Sequence, residues 1–247
     1  EGSEAEISKV FETVCLQIRD AVAGLLIRLA EEYHRDTPLE SCFDHRHVEV
    51  LSRNKERDGF IPLEVLHLRH RLYRGGWSAG LRRELVTRPR AVGALLYDPD
   101  SDKVVLVRQF RTGMIDEPER PWLLEIVAGL VAAGEAPIDV VQRETLEETN
   151  CLVSRILPIF EYFNSPGWNN EKVSLYCAQL DSSTAEGVHG LNEEHEDILV
   201  VVLTVDEAIK AVRNGTINNA MSIIALQWLE LNREWVRTQW TARENHR

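Results

Sequence analysis

Three things are scarce or missing in this 247-residue sequence, and each absence removes a class of function. Positive charge is the first: 28 lysines and arginines face 40 aspartates and glutamates, a net charge of −12. A nucleic-acid backbone binds a basic surface, so nucleic acid is excluded as the main partner. Any handling of phosphate by so acidic a chain has to rest on local arginines and a metal. Paired cysteine is the second. Cys15, Cys42, Cys151 and Cys177 are widely scattered with no CxxC among them, which reads as reduced thiols in a cytoplasmic protein rather than a disulfide frame. The third is any long apolar run. Nothing approaches the roughly 18 residues of a membrane span, and no signal-peptide pattern stands at the start of the sequence. The expectation is a cytoplasmic protein with no membrane partner.

What is present suffices for a large core. At 44% apolar residues the chain can form one large or two small domains, and it shows no internal repeat or low-complexity tract. Apolar residues recur at Ile7, Val10, Phe11, Val14, Ile18, Val22, Leu25, Leu26 and Leu29. That is helical spacing, so residues 7–33 are predicted as one amphipathic helix, ended by Thr37-Pro38. Residues 47–88 read as short strands: HVEVLSR, the longer run FIPLEVLHLRHRLY, a turn at Arg74-Gly75-Gly76, then LRRELVTR. His45 and His47 form an HxH pair with no third ligand near them in sequence, so a surface pair is expected there.

AVGALLYD and KVVLVRQF follow as two strands joined by DPDSD, and WLLEIVAG is read as one apolar strand. Strands are predicted at about 152–163, 171–180 and 198–204. Helices are predicted over 205–214 and from Asn218 onward. Interleaved strands and helices suggest helices on both faces of a mixed sheet.

The stretch between Gly129 and Cys151 carries the chemistry. Glu144 and Glu148 are four apart and Glu147 is three from Glu144, so a helix would place all three on one face. Such a face is either a solvated acidic surface or a seat for a hard divalent cation, Mg²⁺ by default.

Around these glutamates stand Gly129, Glu135 six positions later, and Arg143 directly before Glu144. The whole resembles the box of the Nudix hydrolases, G-x5-E-x7-R-E-U-x-E-E-x-G-U with U apolar. Thr145 replaces an apolar residue and Asn150 the glycine. Asn tolerates a left-handed helix end, and Thr145 can turn its methyl inward. PWLLEIVAG, SPGWNNE, HGLNEEHEDI and INNAMSIIALQWLEL extend the likeness, in order, to the ADP-ribose pyrophosphatase branch of that family, from about residue 47 to 235. Residues 1–45 lie outside it.

The resemblance implies a Nudix-type α/β/α sandwich with a mixed sheet over 89–240. A β-rich dimerisation segment at 46–88 would precede it; the amphipathic helical extension at 1–45, of unknown role, is read from its apolar spacing and not from the resemblance. It implies Mg²⁺, or Mn²⁺ in its place, held by Glu144, Glu148, Glu196 and the carbonyl of Ala128, with Glu147 at the metal or at a water on it. Glu194 would be the general base. Arg143 and Glu135 would support the carboxylates, and Arg83, Arg111 and Phe60 would contact substrate. Phe60 would come from the other subunit of a homodimer with exchanged amino-terminal strands. The reaction implied is hydrolysis of ADP-ribose to AMP and ribose 5-phosphate. The alternatives are another nucleoside-diphosphate sugar such as GDP-mannose, or a non-catalytic nucleotide-sensing module.

Overall fold

A computed structural model describes residues 43–117 and 121–241. The helix expected at 7–33, Cys15 and Cys42 lie outside the described residues. The described residues divide into two compact units, one comprising 43–51 with 67–81, the other 52–66 with 82–117 and 121–241.

Three strands near the start, β1 (Val48–Arg57), β2 (Leu63–His70) and β3 (Leu81–Val86), form a sheet in that order. The run predicted from Phe60 to Tyr73 is a strand only over its middle. Pro62, with no N–H to give to a ladder, precedes the start of β2. At the other end Arg71 makes a single bridge with Trp77, and its guanidinium lies 4.5 Å over the Trp77 ring. The expected turn is there, with Gly75 and Gly76 at φ +91° and +78°. His45 and His47 fall in a short 3-10 helix, with His47 Nδ1 3.0 Å from the Asp44 carboxylate. In the second unit, Arg53 and Thr87 both donate to the Glu64 carboxylate, at 2.8 and 3.1 Å.

The remaining eight strands make one mixed sheet: β4 (Ala91–Asp98), β5 (Lys103–Phe110), β6 (Trp122–Glu125), β7 (Val127–Leu130), β8 (Arg155–Phe163), β9 (Lys172–Gln179), β10 (Val188–His189) and β11 (Ile198–Thr204). The order is β10-β11-β5-β4-β9-β8, with β6 on β5 and β7 on β4. β4 and β9 run parallel, and the other recorded pairs antiparallel. Every residue of β4 is buried. Successive side chains point to opposite faces, and each face meets a different layer. Val92, Ala94 and Leu96 pack with Val105, Val107 and the helix residues Val140 and Val141. Leu95, Tyr97, Val104 and Leu106 pack with Ala208, Leu226, Leu229 and Trp240 from the other side. The helices are α1 (Pro137–Thr149) on the first face, and α2 (Val205–Arg213) and α3 (Ala220–Thr241) on the second. The expected sandwich of helices around a mixed sheet is the fold found.

One strand departs from expectation, and the departure makes the site. WLLEIVAG is two strands, broken at Ile126. β4 and β5 pair with each other only where the hairpin turns, at Leu96–Asp98 with Lys103–Val105. Beyond that they part, β6 pairing with β5 and β7 with β4. At the break the Ile126 N–H leaves the ladder and donates to the buried Ser222 hydroxyl of α3, at 3.0 Å. Among the described residues no helix is long and apolar enough to cross a membrane.

Candidate active site

The helix carrying the glutamates begins at Pro137, whose fixed φ and absent N–H suit a first helical position. It ends at Asn150 in the left-handed region, φ 54° and ψ 24°, with its N–H on the Leu146 carbonyl at 2.9 Å. Its inner face is unusually polar. Thr145 is fully buried, and its hydroxyl donates to the Val141 carbonyl at 2.6 Å; Thr149 does the same to Thr145 at 2.6 Å. Each hydroxyl is thus satisfied by its own helix, and the Thr145 methyl is free to pack.

Glu148 stands on the same inner face, only 2% exposed. The Ala128 N–H donates to its carboxylate, yet its Oε2 has no hydrogen-bond partner. Burial, reinforced by the nearby charges of Glu144 and Glu196, pushes the Glu148 carboxyl well above the ordinary carboxylate range, against the pull of Arg111. Glu144 is pushed up to about 7, again by burial first; Arg143 opposes the rise, and Glu147 and Glu196 add to it. Gly129 leaves room for this carboxylate, because a Cβ there would collide with the Glu144 side chain.

Arg143 ties the cluster together. Its Nε donates to Glu135 at 3.0 Å, and its Nη1 to Glu144 at 2.8 Å and Glu147 at 3.1 Å. Glu135 is fixed in turn by the Ala132 N–H at 3.2 Å. These contacts lower the Glu135 pKa, the Arg143 hydrogen bond most.

The loop before β11 is pinned to the helix by the Gly190 N–H on the Glu147 carbonyl, 3.1 Å. Gly190 has φ +106°, and a Cβ there would meet the Glu196 Cβ at 2.6 Å. Glu196 Oε2 accepts the Leu191 N–H at 3.0 Å. Glu194 lies in a short 3-10 turn, exposed, and its carboxylate has no hydrogen bond among the described residues. The structure therefore gathers Glu135, Arg143, Glu144, Glu147, Glu148 and Glu196, and leaves Glu194 at the rim in solvent.

On the other wall, Arg111 Nε donates to Glu125 at 2.6 Å. The two line a cleft of about 170 Å³ with Ala128, Asn164, Asn219 and Met221, among others. Arg83 is exposed on β3, its Nη1 bonded to the Arg82 carbonyl at 2.9 Å. Phe60 is 80% exposed, with the Arg88 guanidinium 5.0 Å above its ring.

Comparison with known proteins settles the family. The NUDIX domain profile matches residues 87–222. The chain belongs to the Nudix family. It is 41% identical over 202 residues to an ADP-ribose pyrophosphatase of Escherichia coli (strain K12), covering 82% of this chain and 97% of that one. A Haemophilus influenzae ADP-ribose pyrophosphatase is 38% identical over 80% of this chain and 93% of its own. A GDP-mannose pyrophosphatase of Cronobacter sakazakii is 34% identical over 61% and 78%. The fold also matches a crystal structure of an ADP compounds hydrolase, with TM-score 0.61 and 20% identity over 81% of this chain and 98% of that one.

The donors around the Nudix helix suit a hard cation. They are all oxygen, as Mg²⁺ requires, one of them is a buried carboxylate oxygen without a partner, and Gly129 opens the space beside Glu144. Among the described residues no three His, Cys, Asp or Glu side chains are placed, as they stand, to hold a metal ion together. Two residues of this region escape a sequence reading. Glu125 is the anchor of Arg111, its side chain 12% exposed. Gln109 is 8% exposed, with its Nε2 unpaired. A period-two reading of β5 would have put Gln109 on the face of Arg111 and Val107.

Proposed function

We propose that this Nudix chain hydrolyses the pyrophosphate bond of ADP-ribose to AMP and ribose 5-phosphate. The substrate class rests on likeness to ADP-ribose pyrophosphatases over nearly their whole length. The observation that carries the chemistry is the buried, partnerless carboxylate oxygen of Glu148, amid carboxylates that burial drives toward the neutral form.

Glu144, Glu148, Glu196 and the Ala128 carbonyl would hold Mg²⁺, with Mn²⁺ as a substitute. Bound there, the cation would neutralise pyrophosphate charge and polarise a phosphorus toward attack by water. The chain's own residues do the rest. Arg143 holds Glu144 and Glu147 in place through charge-assisted hydrogen bonds. Arg111, its Nε fixed by Glu125, leaves the rest of its guanidinium to pair with a phosphate oxygen. Glu194, exposed at the rim, takes the proton from the attacking water, and Glu147 keeps that water in place. The P–O bond to the leaving phosphate then breaks, and two monophosphates depart. Arg83 and Phe60 bind the nucleoside end.

Phe60 reaches that end from a second subunit, in a homodimer with exchanged amino-terminal strands. Support comes from the exposure of Val48, Val50, Leu51, Phe60 and Ile61 on the amino-terminal strands and the turn between them, since soluble proteins seldom leave apolar strand residues open. The cytoplasmic placement is supported by the described cysteines, Cys151 and Cys177, which are buried free thiols.

GDP-mannose is the second reading. Competition between ADP-ribose and GDP-mannose in one Mg²⁺ assay, followed by product identification, separates the two. The proposal expects AMP and ribose 5-phosphate to dominate. A higher kcat/KM for GDP-mannose would transfer the chain to the other substrate.

A further inference from the structure

Trp168 is an exposed indole on a backbone with almost no freedom. It stands in the loop joining β8 to β9 and is 55% exposed. Its ring makes no ring–ring or cation–π contact among the described residues. Its backbone is held on every side. The Ser165 carbonyl accepts the N–H groups of Trp168 and Asn169, at 3.2 and 3.1 Å, and the Trp168 carbonyl accepts the Val86 N–H at 2.8 Å. The buried Asn169 takes the Glu171 N–H at 3.0 Å, and Asn170 Oδ1 takes the Arg88 N–H at 2.8 Å. At the loop's start Asn164 Nδ2 donates to Glu171 at 2.9 Å. An apolar plate left in water on so fixed a mount can receive something flat without loss of backbone entropy, with only the two side-chain torsions of the indole left to order on contact.

Its position says what. Asn164 lines the cleft of Arg111 and Ala128, and Trp168 lies four residues on, at most about 14 Å away along the chain. On its other side Trp168 is bonded to Val86, three residues beyond Arg83 and so within about 10 Å of it along the strand. Trp168 thus lies within chain reach of both the wall expected to face the pyrophosphate and the strand expected to face the nucleoside.

We propose that Trp168 is a further substrate-contacting residue, stacking on the base of the bound nucleotide and favouring the nucleoside half over the terminal sugar phosphate. The inference rests on the pyrophosphatase reading above.

The test uses Trp168→Ala and Trp168→Phe in the full chain. Loss of a base–aromatic stack should raise KM for ADP-ribose about tenfold, with the phenylalanine variant recovering most of it. Stacking remote from the reacting phosphorus is uniform binding, so kcat should stay within about twofold. Competitive inhibition by AMP should weaken by the same factor as KM, and inhibition by ribose 5-phosphate should not change. An unchanged KM in the alanine variant overturns the proposal. So does weakened inhibition by ribose 5-phosphate alone, or a change in oligomeric mass with kinetics intact.

A second measurement needs no turnover. AMP added to the metal-free protein should quench tryptophan emission saturably, and Trp168→Phe should remove that quenching. Equal quenching in both proteins overturns the proposal. If the wild type quenches through Trp168 yet leaves ADP-ribose intact, the fault lies with the catalytic reading and not with this contact.

Discussion

Glu148 holds a carboxyl inside the protein on a single backbone hydrogen bond, with burial pushing it toward the neutral form, and that defines what its replacement should do. Glutamine is nearly isosteric but removes the charge that would bind a cation. Glu148→Gln should therefore lower turnover by orders of magnitude. Because a partnerless buried carboxylate is costly, the variant should melt in chelator at the same temperature as the wild type or higher. A rise in melting temperature on adding Mg²⁺ should appear in the wild type and vanish in the variant. Near-normal activity would mean that the helix is only an acidic surface.

Asp98 is the opposite case. It is 5% exposed, and burial alone would raise its pKa. Hydrogen bonds from Ser182 and Ser101, both hydroxyl and N–H, more than offset this and hold it at about 2, against an ordinary 3.8. A depressed carboxyl pKa stabilises the fold fully above pH 4, and the contribution is lost as pH falls toward 2. Asp98→Asn should cost on the order of 2 kcal/mol at neutral pH, with the gap to wild type closing between pH 4 and pH 2. Denaturant titrations across that range would show it, and a gap that does not narrow would contradict the assignment.

Among the elements, the helix end at Asn150 gives a sharp test. The residue sits in the left-handed region, where a β-branched side chain clashes with the backbone. Asn150→Val should destabilise the protein by about 1–2 kcal/mol, and Asn150→Gly should be neutral or better. A valine variant of wild-type stability in urea would show that the helix ends otherwise. This helix end was legible in the sequence because Asn stands where the Nudix pattern has glycine. The strands β4, β5 and β11 were legible for a related reason: the DPDSD turn separates β4 from β5, and β11 is an apolar run that stops at Thr204, the cap of the following helix. The break at Ile126 was not legible. Its cause is a hydroxyl on Ser222, 96 residues away, and nothing local in WLLEIVAG marks it. The same limit hid Glu125, whose importance comes from its ion pair with Arg111, whereas the period-two alternation of β5 was enough to place Gln109. The carboxylates of the helix were legible because their spacing is itself the site geometry.

In the whole molecule, assembly and catalysis meet at Phe60. If Phe60 serves the partner's site, then mixing Phe60→Ala with Glu148→Gln and allowing subunit exchange should create sites with neither defect. Those sites should bind ADP-ribose with the wild-type KM, and finding only the weakened KM of the Phe60→Ala parent after confirmed exchange would place Phe60 elsewhere. The hydrolysis itself is tested by one incubation. The protein is given ADP-ribose with Mg²⁺, and in parallel with chelator, and the products are resolved over time. The account predicts AMP and ribose 5-phosphate in equal amounts with Mg²⁺ and none with chelator. Intact ADP-ribose in the presence of Mg²⁺, or cleavage that chelator leaves unchanged, would contradict it.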